Sequence, residues 1–484
     1  MMKPYQILIF FISVVIVLFS LSLVFPKDGV RISDEISLKF FSFDELFKSD
    51  SSAYADISEI IQNSSVGESN LDTMAILAAI AKLMPVDTVR ADSDSLRKIT
   101  HLIEFPGGDK SGFDFFFSRL ENLSSKKELI RILHYGDSQI ETDRMTGFIR
   151  NKLQKRFGGS GPGMIPPVPL YQGKMSVNQK YSNDWERYTG FGKVDSTRGH
   201  KKYGALVSYC SFDSSTVDSS SNPYFEFQPS RIAYRTSQIY NRISIYFSKP
   251  DEESLSIHVY EEDSIIDVLA IDESIVYDKI TWNLTNTPKK FKLEFAGKSQ
   301  PEIYAISLDN SWGIAMDNIP LRGSAGLVFS KIDSGQIKQM YDDMNVGMII
   351  LQFGGNVVPY MKNFERYEKF LKRELKLIKS LCPEAAILVV GPSDMSMRDK
   401  GKYVSYPSVE KVRDAMRKAS LDMDCAFWDM YEAMGGNNSM PSWVFADPPL
   451  AISDFVHFNS RGAKIMAEML NNAFMYEYNL WEAE

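Results

Sequence analysis

A serine in the first third of the chain has surroundings that suit nucleophilic catalysis. Ser138 follows Gly136 and Asp137 after a strand-like run, residues 130–133, and a helix-like pattern begins directly after it. Glycine permits a sharp turn, and a serine at a helix N-terminus lies beside unpaired N–H groups that favour negative charge. The same position also suits a serine or aspartate that only caps a helix. Ser138 is therefore a candidate nucleophile if a base lies near it.

An acid and a histidine late in the chain could supply that base. Asp454 and His457 are three residues apart in the stretch DFVHF, so one turn can bring both side chains to the same side. A carboxylate can hold one ring nitrogen of a histidine and leave the other free to accept the proton of a serine. The chain has five histidines, and this one has an acid at such a spacing near the end of an α/β unit. His134 faces the interior of its predicted strand by alternation and is interpreted as a core histidine.

Two further stretches could stabilise a developing oxyanion. Asn356 ends the stretch FGGN, directly after the buried run MIILQ, and its side-chain amide can donate a hydrogen bond there. The alternative is the asparagine of an ordinary turn. The stretch GSAG, residues 323–326, offers glycine N–H groups that can approach a substrate oxygen closely.

The elements around these residues predict an α/β domain that is interrupted by a β domain. Apolar strand-like runs alternate with helix-like segments over 111–171 and 319–484, which predicts a parallel sheet covered by helices on both faces. Between them, 172–318 holds many short runs of β-branched and aromatic residues, typical of a sandwich or jelly roll. Sites in open parallel sheets lie beyond the carboxyl ends of the strands, and Ser138 and Asn356 both occupy such positions.

The N-terminal sequence predicts a membrane anchor. Residues 7–25 are uncharged and apolar, long enough to span a bilayer as a helix, and Lys3 precedes them. No clear cleavage site with small residues follows, so residues 1–26 are predicted to form an uncleaved signal anchor and transmembrane helix. Residues 27–110 are predicted to be a tether with some local structure, including a short helix over 71–84.

Composition excludes some functions. A formal net charge of −8 argues against nucleic acid as a partner, because phosphate binding needs a basic face. Cys210, Cys382 and Cys425 match no metal-ligand spacing. Cys382 and Cys425 could meet as a disulfide; the alternative is that all three are small apolar side chains.

Together, these motifs resemble those of the SGNH hydrolases, also called the GDSL family. A Gly-Asp-Ser, a glycine turn, a Gly-x-Asn after a buried strand and a late Asp-x-x-His occur here in the order of that family. The resemblance covers 111–171 and 319–484 and implies a three-layer, flavodoxin-like α/β/α fold. Gln139 replaces the family's leucine, a departure that does not touch the triad. Val357 follows Asn356 where many members have aspartate.

One branch of the family is more similar. The stretch GDSQIETDRMTGFIRNKLQKRFGGSGPGMI resembles the start of periplasmic peptidoglycan O-acetylesterases and related polysaccharide O-acetyltransferases. That branch carries a carbohydrate-binding-like β domain inserted where 172–318 lies here. Carried over residue by residue, the resemblance implies that Ser138 is the nucleophile, His457 the general base and Asp454 the residue that orients the base.

The resemblance also implies an oxyanion hole. Its three donors would be the Ser138 backbone N–H, the Gly326 backbone N–H and the Asn356 side-chain amide. Gly323 is the alternative to Gly326, because one sequence does not fix the register. Asp137 and Asp143 are expected to brace the turn through hydrogen bonds.

The implied function is that of a serine esterase that removes O-acetyl groups from a peptidoglycan-like envelope polysaccharide, with no metal or organic cofactor. Two alternatives stay open. One is an O-acetyltransferase that moves acetyl onto an envelope glycan, with a membrane-bound acyltransferase as partner. The other is a non-catalytic glycan-binding envelope protein. The β domain could bind glycan or serve only as a lid or packing platform. The expected location is the bacterial cell envelope, anchored to the inner membrane with the catalytic domain in the periplasm.

Overall fold

The computed structural model describes a large part of the chain in two units. The described residues are 4–24, 30–31, 37–38, 54–65, 101–170, 176–195, 199–213, 215 and 222–484. The units are Met1–Ala55 and Asp56–Glu484. The short helix predicted over 71–84, and most of the predicted tether, lie outside the described residues.

The N-terminal unit contains helix α1 (Pro4–Val24), which coincides with the predicted apolar helix. Strands β1 (Val30–Arg31) and β2 (Ser37–Leu38) form an antiparallel pair. In the described parts of the chain, no helix meets both the length and the apolar character that a bilayer crossing requires. The described residues therefore give the predicted transmembrane helix no support.

The second unit begins with helix α2 (Ser58–Asn63) and continues with α3 (Ser111–Lys126), β3 (Leu129–Gly136) and α4 (Thr146–Phe157). Helix α3 buries phenylalanines and leucines that recur at helical spacing; they are Phe113, Phe116, Phe117, Leu120 and Leu123. Strand β3 is buried from its second residue to its last, as expected of a central strand with both faces covered.

Two antiparallel sheets follow and pack face to face, as in a β-sandwich. Their strands are β4 (Gly163–Ile165), β5 (Val177–Tyr181), β6 (Glu186–Thr189), β7 (Ser208–Ser211), β8 (Tyr224–Pro229), β9 (Arg242–Lys249), β10 (Leu255–Glu261), β11 (Ser264–Ile271), β12 (Ile275–Asn283), β13 (Phe291–Gly297) and β14 (Glu302–Asp309). One sheet has the order β11-β10-β13-β8-β5, and the other has the order β12-β9-β14-β7-β6, with β4 beside β14. Phe225 and Leu293 of the first sheet share an apolar core with Ile243 and Ile303 of the second.

The chain then returns to the α/β domain. Its remaining elements are β15 (Gly313–Pro320), α5 (Ser334–Met344), β16 (Val346–Gln352), α6 (Phe364–Leu381), β17 (Ala386–Val390), β18 (Ser396–Asp399), β19 (Lys402–Ser405), α7 (Val409–Asp422), β20 (Ala426–Trp428), α8 (Met430–Ala433), α9 (Ser439–Phe445) and α10 (Ser460–Ala483). Five strands form a parallel sheet in the order β15-β3-β16-β17-β20. Counted along the chain, this is the 2-1-3-4-5 order of flavodoxin-like folds.

Helices cover both faces of the parallel sheet. On β3, Ile130 and Ile132 belong to an apolar core shared with α3, α4 and α10, whereas Leu133 and Tyr135 belong to a core shared with α5, α6 and α7. The expected α/β domain and the expected antiparallel β domain are therefore both present. The boundary expected between 318 and 319 falls inside β15, which pairs with β3 along its whole length.

A buried ion network joins the two domains. The Arg131 guanidinium on β3 pairs with Asp317 on β15, at 2.7 Å, and with Asp309 on β14 of the sandwich. Asp317 also accepts a hydrogen bond of 2.6 Å from the Met164 N–H on β4. All three charged side chains are almost fully buried, so this network ties the sandwich to the edge of the parallel sheet.

The three cysteines are buried and unpaired. Cys382 and Cys425 lie in the core on one face of the parallel sheet, and Cys210 lies in the sandwich core. The disulfide considered for Cys382 and Cys425 does not form, and the cysteines pack as small apolar side chains.

Candidate active site

The structure brings the three predicted triad residues together. Ser138 Oγ lies 2.7 Å from His457 Nε2, and His457 Nδ1 lies 2.7 Å from Asp454 Oδ2. The serine is nearly buried, whereas 26% of the His457 side chain and 41% of the Asp454 side chain are exposed. A serine hydroxyl within hydrogen-bond distance of an imidazole that a carboxylate orients can act as a nucleophile.

Gly136 fixes the point at which β3 ends. A Cβ atom on Gly136 would lie 2.9 Å from the Gln352 carbonyl oxygen, so a larger residue would push β3 away from β16. The carbonyl of Gly136 accepts a hydrogen bond from the Leu321 N–H, and the Asp137 N–H donates to the Gln352 carbonyl. The backbone before Ser138 is thereby held on both sides.

The turn that carries Ser138 differs from the expected α-helix. Ser138–Asp143 is a 3₁₀ turn with a kink, and α4 begins only at Thr146. The Asp137 carboxylate caps this turn by accepting a hydrogen bond of 3.0 Å from the Gln139 N–H. Thus Asp137 braces the turn, as expected, but Ser138 does not lie at the N-terminus of an α-helix.

A buried ion pair holds the strained end of the same turn. Thr142 and Asp143 have φ of +60° and +67°, in the left-handed region that side chains rarely adopt. Arg150 on α4 forms two hydrogen bonds with the Asp143 carboxylate, of 2.7 and 2.8 Å, and donates to the Met316 carbonyl at 2.6 Å. Asp143 therefore also has the bracing role that was expected of it.

Asp454 organises the loop that carries His457, residues 454–459, which we call the histidine loop. Its Oδ1 accepts hydrogen bonds from the Val456 and His457 N–H groups, of 2.9 and 3.0 Å, while Oδ2 faces the imidazole. Burial alone would raise the pKa of Asp454, but the hydrogen bond from the His457 imidazole, together with the two backbone hydrogen bonds, outweighs it and lowers the pKa. Asn459 then caps α10 and ends the loop.

Burial acts in the opposite direction on two neighbouring carboxyls. It raises the pKa of Asp137 to about 6, against the lowering effect of the hydrogen bond from the Gln139 N–H. Burial also raises the pKa of Glu141, against the lowering effect of the Arg322 and Arg144 charges. The turn Ser138–Asp143 and its capping residues Asp137 and Arg144, which together we call the nucleophile turn, thus contain two acids whose charged forms are disfavoured.

The loops after β3, β15 and β16 meet beside the nucleophile. The Asn356 side-chain N–H₂ lies 3.4 Å from Asp137 Oδ2 and 3.3 Å from the Ser324 carbonyl oxygen. Both contacts are long for hydrogen bonds, so the amide can turn toward a stronger acceptor. Asn356 is therefore available as an oxyanion donor next to Ser138.

The two glycines of the stretch GSAG, Gly323 and Gly326, differ in their surroundings. The Gly326 N–H donates to Ser324 Oγ at 3.1 Å, and a Cβ atom on Gly326 would lie 2.9 Å from the Phe353 ring. Gly323 has φ of +77°, and open space surrounds the position of its missing Cβ. Its N–H donates to no atom in the described part of the chain. The Gly326 N–H is thus already bonded within its own loop, whereas the Gly323 N–H has no such partner among the described residues.

His134 lies in the core, as interpreted from the sequence. It is fully buried between Gln352 Oε1, 3.1 Å from Nε2, and Thr146 Oγ1, 3.0 Å from Nδ1. Burial lowers its pKa to about 4, so the ring is neutral near pH 7.

Sequence reasoning missed two side chains that bond to the histidine loop. Gln139 donates to the Val456 carbonyl, and Arg144 donates to the Phe458 carbonyl. The only signal in the sequence was a pair of long polar side chains within six residues of Ser138, in a segment that the sequence predicts to begin a helix.

A cleft adjoins the nucleophile turn and lies between the two domains. The α/β domain contributes Glu141, Asn318 and Pro320, and the sandwich contributes Arg187 on β6 and Ser208 on β7. Within the described ranges, no group of three His, Cys, Asp or Glu side chains is arranged to hold a metal ion.

Similarity to known proteins is visible in the fold. No protein-family model matches the chain, and no curated protein matches it in sequence. A solved peptidoglycan O-acetylesterase superposes with a TM-score of 0.62 at 20% identity, covering 79% of this chain and all of the other. Family two carbohydrate esterases from Cellvibrio japonicus and Clostridium thermocellum match with TM-scores of 0.24 and 0.23, at 6% and 10% identity. They cover 63% and 61% of this chain and 99% of their own chains, and TM-scores this low do not indicate a shared fold.

At 20% identity, the first likeness shows a shared fold and nothing finer. The predicted resemblance to the peptidoglycan O-acetylesterase branch is thus confirmed at the level of the fold.

Proposed function

We propose that this chain, which shares its fold with a solved peptidoglycan O-acetylesterase, is a serine esterase that removes O-acetyl groups from a cell-envelope polysaccharide. The observation that carries the proposal is the unbroken chain of two 2.7 Å contacts from Ser138 through His457 to Asp454. Such a chain suits transfer of the serine proton during attack on an ester.

The proposed reaction has two displacements. Ser138 Oγ bonds to the acetyl carbonyl carbon while its proton passes to His457 Nε2. The bond from that carbon to the sugar oxygen then breaks, and the sugar oxygen takes the proton from Nε2. Water attacks the acetyl-serine, gives one proton to Nε2 and releases acetate, and Ser138 Oγ takes the proton back. Asp454 stabilises the imidazolium in both halves, because its carboxylate faces Nδ1.

The negative charge on the carbonyl oxygen needs donors in both displacements. We assign this role to the Ser138 backbone N–H, the Asn356 amide and the Gly323 N–H. Asn356 is bound only through long contacts and Gly323 N–H faces no described acceptor, so neither must break a strong hydrogen bond to serve.

A polysaccharide substrate is supported by the cleft between the domains. Its walls combine prolines and aliphatic side chains with Glu141, Asn318, Ser208 and Arg187. Sugar rings present both apolar C–H faces and hydroxyl groups, so a wall of this mixed character suits them. Because the proposed substrate lies in the bacterial envelope outside the cytoplasmic membrane, we propose that the enzyme acts there.

The O-acetyltransferase alternative uses the same three side chains and differs only in the acceptor that reaches the acetyl-serine. No observation on the described residues favours transfer over hydrolysis, or a membrane-bound acyltransferase as partner, so the proposal includes neither.

The test is release of acetate from O-acetylated peptidoglycan and from other O-acetylated glycans, with a small acetyl ester as a reporter. Ser138→Ala should abolish release from every substrate. Ser420→Ala is the matched control, since Ser420 is buried in α7 and its Oγ donates to the Met416 carbonyl, away from Ser138. Full activity of Ser138→Ala would refute the mechanism. Reporter activity without release from any glycan would refute the substrate class, and acetyl recovered on an added glycan would indicate the transferase.

A further inference from the structure

Gln139 connects the nucleophile turn to the histidine loop. It follows Ser138 directly, and only 5% of it is exposed. Its Nε2 donates to the Val456 carbonyl at 2.6 Å and to Ser393 Oγ at 3.1 Å. Its Oε1 accepts a hydrogen bond of 3.4 Å from the Phe458 N–H. The side chain therefore bonds to the residues immediately before and after His457.

Arg144 makes a second connection from the same turn. Its Nη1 donates to the Phe458 carbonyl at 2.9 Å, and its Nε donates to the Glu141 carbonyl, also at 2.9 Å. The carbonyl before His457 and the carbonyl after it are thus each held by a side chain from the turn that carries Ser138. We call Gln139 and Arg144 the clamp.

The histidine loop has features that require such support. Phe455 has φ of +59°, in the left-handed region that a phenylalanine rarely adopts, so other contacts must hold the loop in this conformation. Asp454 and His457 are also partly exposed, and packing alone does not immobilise them. A displacement of about 1 Å between reacting groups can reduce a rate about 10²-fold.

We propose that Gln139 and Arg144 are positioning residues, which keep His457 Nε2 within proton-transfer distance of Ser138 Oγ. The inference rests on the proposed function, since it concerns the same triad. The clamp acts through the backbone on either side of the base and does not touch the substrate. Gln139 supplies its bonds as a neutral amide, so it holds the loop without adding a charge beside the imidazole.

The first test is Gln139→Leu, which keeps a similar side-chain volume and removes all three hydrogen bonds. We expect kcat for a small acetyl ester to fall about 10- to 100-fold, with KM changed less than twofold. Gln154→Leu is the matched control, because Gln154 is equally buried and donates to the Gly161 and Ile314 carbonyls away from the site. It should lower thermal stability to a similar extent and leave kcat unchanged. An unaltered kcat in Gln139→Leu would overturn the proposal.

The second test asks whether Gln139 acts through the base. In a His457→Ala background there is no imidazole to position, so adding Gln139→Leu should not reduce the residual activity further. An equal loss in both backgrounds would overturn the proposal, because it would mean that Gln139 acts on Ser138 or on the fold.

The conservative variant Arg144→Lys retains a donor for the Phe458 carbonyl and should keep most of kcat, whereas Arg144→Leu should lose it as Gln139→Leu does. Equal kcat values for Arg144→Lys and Arg144→Leu would overturn the role of Arg144.

Ser138→Ala distinguishes failure of the proposed function from failure of the clamp. If it is active, the proposed function fails; if it is inactive while the clamp variants keep full kcat, only the clamp fails.

Discussion

The hydroxyl of Ser138 lies 2.7 Å from Nε2 of His457, although 319 positions along the chain separate the two residues. The parallel sheet makes this contact possible. Ser138 follows the carboxyl end of the inner strand β3, Asn356 follows the neighbouring β16, and the histidine loop leads into α10, which packs on the same sheet. Loops at one edge of a parallel sheet converge whatever their distance in sequence.

The charge of Asp454 should matter more than its hydrogen bonds to the backbone. Asp454→Asn keeps an oxygen for the Val456 and His457 N–H groups but removes the negative charge opposite Nδ1. We expect kcat for acetate release to fall about 10²–10⁴-fold with KM unchanged. Asp422→Asn, at an exposed acid bound to Lys372, should have no effect on kcat. A loss below threefold at Asp454 would mean that the imidazole is oriented by other groups.

Removing the Asn356 amide should impair transition-state stabilisation. Asn356→Ala is expected to reduce kcat about 10²–10³-fold, because one oxyanion donor is lost. Asn363→Ala is a useful comparison, since Asn363 caps α6 by accepting from the Arg366 N–H at 2.8 Å. It should lower the free energy of unfolding by about 1 kcal/mol and leave kcat unchanged. Equal kcat values for the two variants would exclude Asn356 from the oxyanion hole.

Asp137 should make stability depend on pH. Burial raises its pKa from an ordinary value of about 4 to about 6. Between about pH 4 and 6, the carboxyl therefore keeps its proton in the folded protein but loses it in the unfolded chain. The resulting stabilisation is complete below about pH 4 and is lost as the pH rises through about 6. Its contribution to the free energy of unfolding is on the order of 3 kcal/mol.

Urea unfolding between pH 4 and 7 measures this dependence. Asp137→Asn should flatten the fall in the free energy of unfolding, and Asp394→Asn should do so as well, because burial also raises the Asp394 pKa to about 6. An unchanged slope in Asp137→Asn would show that this carboxyl titrates normally in the folded protein.

The network that joins the domains should be sensitive to loss of its cation. Arg131→Met leaves the Asp309 and Asp317 carboxylates buried without their partner, and we expect the free energy of unfolding to fall by about 3–5 kcal/mol. Arg119→Met removes a more exposed pair with Glu128 and should reduce it by about 1 kcal/mol or less. Similar values for the two variants in urea unfolding would show that the buried network contributes no more than a surface pair.

The sequence was sufficient to single out Ser138, Asp454 and His457, whose side chains the structure brings within hydrogen-bond distance. Residue type and the spacing of three residues between the acid and the histidine were the signals. The sequence was insufficient to choose which glycine supplies the backbone donor of the proposed oxyanion hole. Gly323 and Gly326 look equivalent in the stretch GSAG. In the structure, Gly326 packs against Phe353 and its N–H donates to Ser324 Oγ.

Two other differences have similar causes. Strands β14 and β15 each have eight residues and are buried along almost their whole length, and the sequence between them does not indicate that the second joins a different sheet. Gln139 was noted only as a departure from leucine that leaves the triad untouched. Its three hydrogen bonds to Val456, Phe458 and Ser393 depend on a distant loop, whose position no local pattern encodes.

The long separation of Ser138 from His457 also has a consequence during biosynthesis. At about 5–20 residues per second, a ribosome needs about 15–60 s to add the residues between them. Throughout that interval the nascent polypeptide has its hydroxyl but no imidazole to activate it. On the proposed mechanism, hydrolytic competence arises late, after the inserted sandwich has been made, and partly translated molecules are inert toward acetyl esters.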